Sequence, residues 1–594
     1  RIANRTQGRK PSMYLAQLRI SNFRKLEKAE LNFQPGLNVL VGPNNVGKTA
    51  VIDALRALLA GHDEPYPRLD NEDIHRPKGG VPKGDIEFQY VFRDLDPDNE
   101  ADFLAALKPD AVGKLEAHIT IRYSEADKTG RLRAKRWCGD HEEIGLTTDM
   151  MENLRGVYLP PMRDASQGLR PSRTSQLSRL FQLLADDAGR DGINDALKKL
   201  DDELKKHKPI INTYTAIQNR HGTMLGPQLA QALDLGLSGS DFQRLAARLS
   251  LIVDAFEIEQ NGLGFNNLIF MAVVLSELAK NPEASYRSLI VEEPEAHLHP
   301  QLQAVLLDYL GTIKAVEGEK PVQLFVTSHS PNFASIADLD SIACLVDTGT
   351  SVKTFFPRTI SFDKGKREKL ERYLDVTRAE LFFARRAIFV EGAAELMLVS
   401  VLAEKCGYRL REHGVSLISV EGLNFDSFLP LFGENALNIP VAIITDADPV
   451  DESDGVEEPQ AAYPALGDVV KVSDNTAKMK KSEDAFVKVF HGVKTLEYDL
   501  ALHADNRAAM LIALKELHPK IGQNVSEAVN AAEGDTAKAR ALFSGMFERS
   551  QNNVQKGRFG QTLAQVISSG VACSVPDYIK NAIAHACQIK EIEL

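Results

Sequence analysis

Three clusters in this sequence carry residue types at spacings that chemistry can use. The first is Gly42-Pro43-Asn44-Asn45-Val46-Gly47-Lys48-Thr49. Its pattern, G-x-x-x-x-G-K-T, lets backbone N–H groups curl around phosphates, with the positive end of the following helix adding to the field. Lys48 suits the β/γ oxygens, Thr49 offers a hydroxyl to Mg2+, and Asn44, Asn45 and Gly47 belong to the cradle. The second cluster begins with Ser288-Leu-Ile-Val-Glu292-Glu293-Pro294-Glu295, an apolar strand that delivers two acids at its end. Glu292 suits holding Mg2+, and Glu293 suits orienting or deprotonating a water. His329, which ends the strand-like run LFVTSHS, suits sensing a γ-phosphate beside Glu293.

The third cluster is built of carboxylates. Glu391 ends the run AIFVEG and Glu395 falls one helical turn later, so both can face one point. Asp446 and Asp448 end VAIITDAD at i, i+2, which puts both on one side of an extended chain. Four converging acids repel unless divalent cations neutralise them, and hard oxygen ligands suit Mg2+ or Mn2+. Two such ions about 4 Å apart can activate a water and stabilise the leaving oxygen in phosphodiester hydrolysis. Between Asp446 and Glu458 lie seven acids in thirteen residues, read as a loop or a metal-rich stretch. His297-Leu298-His299 has no third ligand nearby and is read as structural.

Strands must end where these residues sit. From Tyr14 the chain shows short β-rich segments, then the glycine-rich loop, then AVIDALRALLAG at helical spacing. Residues 85–145 alternate strand-like pieces with charged loops. From about Ser172 to Val253 the periodicity is helical, without a heptad sustained long enough for a coiled coil. Strand-like runs return at SLIVEE, QLFVTS and SIACLVD. A charged helix near Lys364–Leu374 leads to AIFVEG, VSLISVEG and PVAIITDAD with helices between, the rhythm of a second, parallel α/β unit on strands read as consecutive.

Composition narrows the class. With 594 residues, 43% hydrophobic and 26% charged, the chain is an ordinary globular one of more than one domain. A net charge of −12 excludes a basic footprint overall. Local basic clusters remain, of which Arg385-Arg386 and Lys478–Lys481 flank the carboxylates and are the preferred DNA phosphate contacts. Five scattered cysteines argue for a reducing compartment, and the longest apolar run is too short for a bilayer. A cytoplasmic protein without a membrane partner is expected. Residues 1–12 are set aside as an N-terminal remnant.

The first two clusters, with Asn22-Phe23-Arg24 after the first strand, resemble an ABC-type ATPase of the RecF/SMC branch over Met13 to about Leu345. The resemblance implies an ATPase core in two parts, 13–165 and 241–360, split by a helical insertion at 166–240 that serves dimerisation. It makes Arg24 a nucleotide contact. It also makes Glu259–Asn267 the signature segment, with Asn261 where the family carries Ser and with Gly262 and Gly264 as further nucleotide contacts from a partner subunit.

The third cluster resembles the Toprim domain, and Thr495-Leu496-Glu497-Tyr498-Asp499-Leu500 and Asn553-Val554-Gln555-Lys556-Gly557-Arg558-Phe559 resemble its later motifs in OLD-type (overcoming lysogenisation defect) nucleases. By that resemblance Glu497 joins the metal ligands and Lys556 stabilises the transition state. A linker helix at 361–383 and a Toprim domain with helical additions at 384–594 complete the expected α/β architecture. Glu421 is placed near the site but not on the metal.

The expected function is an ATP- and divalent-metal-dependent DNA endonuclease, homodimeric or larger. The family association adds anti-phage defence and a helicase-like or retron partner. A RecF-like ATP-switched DNA-binding protein is the alternative.

Overall fold

The computed structural model describes residues 12–589 except 60–64, 78–79, 162–167, 237–240, 255, 283, 297, 314, 349–350, 423–424, 435 and 450–462. His297, residues 1–11 and the acid-rich stretch from 450 onward therefore lie outside the described residues.

In chain order the first strands are β1 (Tyr14–Phe23), β2 (Leu26–Asn32), β3 (Leu37–Val41), β4 (Ile86–Arg93), β5 (Leu107–Pro109), β6 (Leu115–Ser124), β7 (Arg133–Cys138) and β8 (Leu154–Leu159). A short ribbon follows, β9 (Ile252–Val253) with β10 (Phe256–Glu257), then β11 (Tyr286–Glu292), β12 (Gln323–Thr327), β13 (Ile342–Asp347) and β14 (Val352–Phe355). The last four are β15 (Arg386–Val390), β16 (Val415–Ser419), β17 (Val441–Ile444) and β18 (Val487–Phe490).

Besides the β9–β10 ribbon, three larger sheets form among the described residues. One is antiparallel, β2-β1-β4-β6 with β5 and β7 both on β6. The second, β14-β13-β3-β12-β11-β8, is parallel except for β14. The third, β16-β15-β17-β18, is parallel throughout.

The sequence of β3, Leu-Asn-Val-Leu-Val, is buried at every position, as a parallel strand covered on both faces must be. The helix Lys48–Leu59 packs one face of that sheet against the antiparallel sheet through Val51, Leu55 and Leu58. The opposite face, with Val39, Val291 and Val326, joins a core that also contains Phe389, Ile443 and Val487 of the third sheet. Alternation along β15 explains the sharing: Ala387 and Phe389 point into this common core, Ile388 and Val390 into the C-terminal helices. Truncating Phe389 to Ala would cost about 3–5 kcal/mol and loosen both units together. The segment 361–383 is accordingly no free tether. Its helix Lys366–Tyr373 and the turn Arg378–Phe382 bury Leu370, Leu381 and Phe382 in the same core.

One reading of the sequence needs correction. The strands ending in Glu391 and Asp446 are not consecutive, because β16 lies between them in the chain. They are nevertheless neighbours in the sheet, since the chain leaves β15 to build β16 on one side and returns to build β17 on the other. That reversal opens a crevice at the carboxyl ends of β15 and β17, where parallel α/β sheets bind ligands.

In the segment between the two parts of the N-terminal unit, neither Asp187–Leu204 nor Lys208–Leu229 has a buried residue among those described. Ile211, Ile217, Met224 and Leu229 stand exposed on the longer one. Only Leu263–Lys280 is apolar and long enough to cross a membrane among the described residues. Its inner face carries Asn266, Asn267 and Glu277 against the sheet core, with Glu277 paired to Arg155 at 2.5 Å, the setting of a core helix.

Candidate functional site

The loop after β3 turns sharply because glycine is required there. Gly42 has φ +145°, and a Cβ on it would stand 2.5 Å from the Leu345 carbonyl oxygen. Lys48 is buried and donates to the carbonyls of Gly42 and Pro43 within its own loop, the latter at 2.9 Å. Burial lowers it to about 8, against the attraction of Glu293 and Glu295. Asn44 and Asn45 are exposed at the loop tip, Asn45 in the left-handed region.

The acids of β11 arrive beside this loop. Glu292 receives Tyr158 Oη on Oε1 at 2.7 Å and Thr49 Oγ1 on Oε2 at 3.4 Å, and burial raises its carboxyl. Glu293 Oε1 lies 3.4 Å from His329 Nε2. Burial, with Lys48 nearby, lowers His329 despite Glu293. Glu295, itself buried deeper, accepts from Ser328 Oγ at 2.7 Å and His329 N at 3.1 Å and so fixes the turn that carries the imidazole. The structure thus brings Lys48, Thr49, Glu292, Glu293 and His329 together.

Arg24 is engaged elsewhere in the same wall, to Asp53 at 2.7 Å and Asp73 at 2.8 Å. Asp53 also holds Arg56, whose guanidinium lies 4.0 Å over the Tyr158 ring. Asn261, Gly262 and Gly264 stand at the start of the helix Leu263–Lys280, held from below by Asn266, which donates to the Ile258 carbonyl at 2.7 Å. Leu263 and Phe265 beside them are exposed.

At the crevice of the third sheet, Glu391 Oε1 accepts from Thr445 Oγ1 at 2.6 Å and Asp446 N at 2.9 Å, which ties the end of β15 to the end of β17. Asp446 Oδ1 accepts from Leu496 N at 3.2 Å. Lys556 Nζ, on the first turn of Lys556–Ser568, lies 3.0 Å from Glu497 Oε2. Burial, then Glu391 and Glu497, drive Asp446 well above the usual carboxylate range. Burial and Glu497 raise Glu395. Burial works to lower Lys556, but Glu497 and Asp446 outweigh it and leave the lysine raised. Asp448 is exposed, in the left-handed region, one residue beyond the buried Ala447.

Whether a divalent cation fits can be judged from these oxygens. Glu497 is 1% exposed, and its Oε1 has no hydrogen-bond partner among the described residues. A buried carboxylate oxygen in that state costs free energy that a hard cation would recover. The donor set fits. Among the described residues no three acids or histidines already close around one point, and Lys556 supplies part of the neutralising charge instead.

Of the remaining candidates, Glu421 pairs with Arg378 at 2.8 Å, next to Gly422, whose N donates to the Glu391 carbonyl at 2.7 Å. His299 caps the helix Pro300–Thr312. Arg386 donates to the His413 carbonyl. Pro43, Leu345, Phe382, Leu437 and Ile439 line one small crevice, so the phosphate loop and the third sheet's unit share a surface.

Tyr158, Asp53 and Arg56 carry no motif, and Glu295 and Ser328, though inside the two acid- and His-bearing runs, carry no role in the sequence reading. The one usable signal was the run LRGVYL, a strand whose terminal Tyr could reach a neighbouring strand end.

The comparisons agree with this arrangement. The AAA ATPase domain family matches residues 13–224 and 157–334, together more than half of the chain. The family of the TOPRIM domain of overcoming lysogenization defect protein-like proteins matches 382–448. The OLD nuclease of Thermus scotoductus is 24% identical over 456 residues, covering 74% of this chain and 83% of that one. Endonuclease GajA of Bacillus cereus (strain HuB5-5) is 20% identical over 686 residues, covering 96% and 98%. The solved C-terminal region of the Burkholderia pseudomallei OLD protein aligns at 25% identity over 35% of this chain and 98% of its own, with a TM-score of 0.25, too low to bear weight. Nucleotide and divalent-metal use come with these two domains. The chain therefore belongs to the AAA ATPase domain family and carries, on a sheet that shares the ATPase core's hydrophobic interior, a TOPRIM domain of the overcoming lysogenization defect protein-like kind.

Proposed function

We propose that the chain is an ATP-controlled DNA endonuclease that uses Mg2+ at both sites, with Mn2+ able to replace it at the Toprim site. The observation that carries this reading is buried Glu497 at the crevice between β15 and β17, paired with Lys556, close enough to Asp446 to raise it, and with one carboxylate oxygen without a donor among the described residues.

Glu391, Glu395, Asp446, Asp448 and Glu497 are the residues that hold metal there. When bound, divalent cations neutralise the acids and polarise a phosphodiester and its attacking water. Lys556 then faces the phosphate and stabilises the charge that develops on it. At the ATPase site Lys48 and the loop of Asn44, Asn45 and Gly47 grip the phosphates. Thr49 and Glu292 hold Mg2+, Glu293 orients water and His329 reads the γ-phosphate. Arg24 acts on the nucleotide through Asp53 and the loop wall.

The signature segment with Asn261, Gly262 and Gly264 meets the phosphate loop of a second copy. Its exposed Leu263 and Phe265, and the exposed apolar residues of the inserted helices at 166–240, support a homodimer or larger assembly. Lys478–Lys481 is the DNA phosphate contact. A defence role with a helicase-like or retron partner follows the family resemblance.

The test is plasmid cleavage by purified protein in Mg2+ or Mn2+, with and without ATP. Metal-dependent nicking that chelation abolishes supports the reading. Metal-independent nicking, or DNA binding without cleavage, overturns it in favour of an ATP-switched DNA-binding protein.

A further inference from the structure

The Asp446-Ala447-Asp448 turn is held by another piece of backbone. Ala447 N donates to the Lys494 carbonyl at 2.8 Å, and Asp448 N approaches the same oxygen at 3.3 Å. Asp448 adopts φ +39°, a conformation a non-glycine residue keeps only when its surroundings hold it. The Lys494 carbonyl thus holds the turn just after Asp446 and the amide of Asp448, while Asp446 itself is also held by Glu391, Leu496 and Thr476.

That carbonyl is held in turn. Asp499, 4% exposed, receives the N–H groups of Val493 at 3.1 Å and Lys494 at 3.2 Å on a single oxygen, Oδ1. Its other oxygen presses on Gly492 so closely that a Cβ there would stand 1.6 Å from Oδ2. The Lys494 side chain is buried too, with its ammonium 4.6 Å over the Tyr463 ring and 5.6 Å over that of Phe543. Residues 492–499 are therefore fixed at the glycine, at two amides and at the lysine, and the turn with the two aspartates rests on them.

We infer that Asp499 is a positioning residue of the nuclease site: by accepting the Val493 and Lys494 amides it sets the Lys494 carbonyl, which sets the Asp446–Asp448 turn for metal. Asp499 touches neither metal nor DNA in this scheme. The inference rests on the metal-binding reading of the Toprim acids. What Asp499 supplies to the Val493–Lys494 backbone is the single oxygen Oδ1, its carboxyl also meeting the Tyr578 side chain, so Asn, which keeps Oδ1 and a polar second atom, should serve and an apolar residue of the same size should not. Loss of such outer support typically costs about 10- to 100-fold in metal affinity.

The experiment measures Mn2+ binding to the full chain without nucleotide or DNA, by electron paramagnetic resonance of free Mn2+. Amide hydrogen exchange at Ala447 and Asp448 and ATP hydrolysis are followed in parallel. Asp499→Leu should weaken Mn2+ binding at least about tenfold and speed exchange at both amides, with ATP hydrolysis unchanged. Asp499→Asn should stay within about twofold of wild type in Mn2+ affinity, because its Oδ1 still accepts.

Wild-type Mn2+ affinity in Asp499→Leu overturns the inference. So does an Asn variant as impaired as the Leu variant, which would make the charge and not the accepting oxygen decisive. If Asp499→Leu does not fold, Gly492→Ala displaces the carboxylate without removing it and must weaken Mn2+ binding; unchanged affinity there overturns the inference equally. Asp446→Ala separates the two claims, since undiminished Mn2+ binding in that variant sinks the metal-binding reading itself.

Discussion

The nucleotide site and the Toprim site are built alike, but their lysines are matched differently. Both lie at the carboxyl ends of parallel strands and take a single lysine from the start of a helix, but the first draws its acids from the end of β11 alone and the second from the ends of β15 and β17. In the first, Lys48 donates to neutral carbonyls of its own loop, and burial has weakened its hold on its proton. Glu292 is met by two hydroxyls rather than by a cation. In the second, Lys556 is already paired with Glu497 and raised by it, while burial, Glu391 and Glu497 push Asp446 up. In the first, Lys48 is hydrogen-bonded to carbonyls and attracted by Glu293 and Glu295 only through space, so its charge is available to a polyanion. The second has a surplus of carboxylate and so suits cations. What a sheet end binds is therefore set by which charge is left unmatched there, and not by the α/β layout the two sites share.

The hardest test of this contrast removes surplus carboxylate. Asp446→Ala should lower DNA cleavage about a thousandfold or more by taking away a metal ligand, while ATP hydrolysis stays at the wild-type rate. Wild-type nicking, after contaminating nucleases are excluded, would break the assignment.

Removing the matched cation should act differently. Lys556→Ala should lower turnover about a hundredfold, with DNA affinity falling much less, because its charge acts on the developing oxyanion. Mn2+ binding in the same variant should be no weaker than wild type, since the acids lose a competitor. If Mn2+ binding weakens, Lys556 organises the site and does not compete within it.

How legible these sites were depended on distance along the chain. The phosphate loop is eight consecutive residues, so its chemistry stands in the string. The strand ends at Glu292, Glu391 and Asp446 were legible because buried parallel strands are short apolar runs that stop abruptly. The order of those strands in the sheet was not. Periodicity reports that a strand is buried and says nothing of its neighbour, so nothing in the string shows that β15 and β17 pair in the sheet although β16 lies between them in the chain. Supports drawn from far away were equally invisible. Tyr158 meets Glu292 across 134 residues, Ser328 meets Glu295 across 33, and Asp446 rests on a loop about fifty residues downstream. Nor does any composition shift mark the common core of the two units, because Phe389 and Val39 look alike wherever they pack.

Tyr158 tests the nucleotide side at smaller scale. Its hydroxyl is one of two that meet Glu292, and Arg56 clamps its ring. Tyr158→Phe removes one hydrogen bond to a carboxylate, worth about 1.5–3 kcal/mol, so ATP hydrolysis should fall about tenfold with cleavage chemistry at the Toprim acids intact. An unchanged ATPase rate would mean that Thr49 alone suffices to place Glu292.

The smallest effect is a pH dependence that should appear on one lysine and not on the other. Lys48 loses its proton at about 8 in the free protein because burial disfavours the charge. Bound phosphates restore a counter-charge, so the nucleotide complex holds that proton more tightly. Below pH 8 the lysine is already charged and affinity should be flat. Above pH 8 binding must draw a proton from solution, so ATP affinity should fall, by about fourfold between pH 7 and 8.5 on simple titration. Stability of the free protein should move the other way, rising as pH climbs from about 8, because the unfolded chain then holds more protons than the folded one. Lys556 is raised, so Mn2+ and DNA binding at the Toprim site should not follow this curve. Calorimetric titration of ATP across that range decides the matter. An affinity that stays level from pH 7 to 9 would mean that Lys48 is no less ready to hold its proton than Lys556, and the opposition drawn between the two sites would lose its nucleotide half.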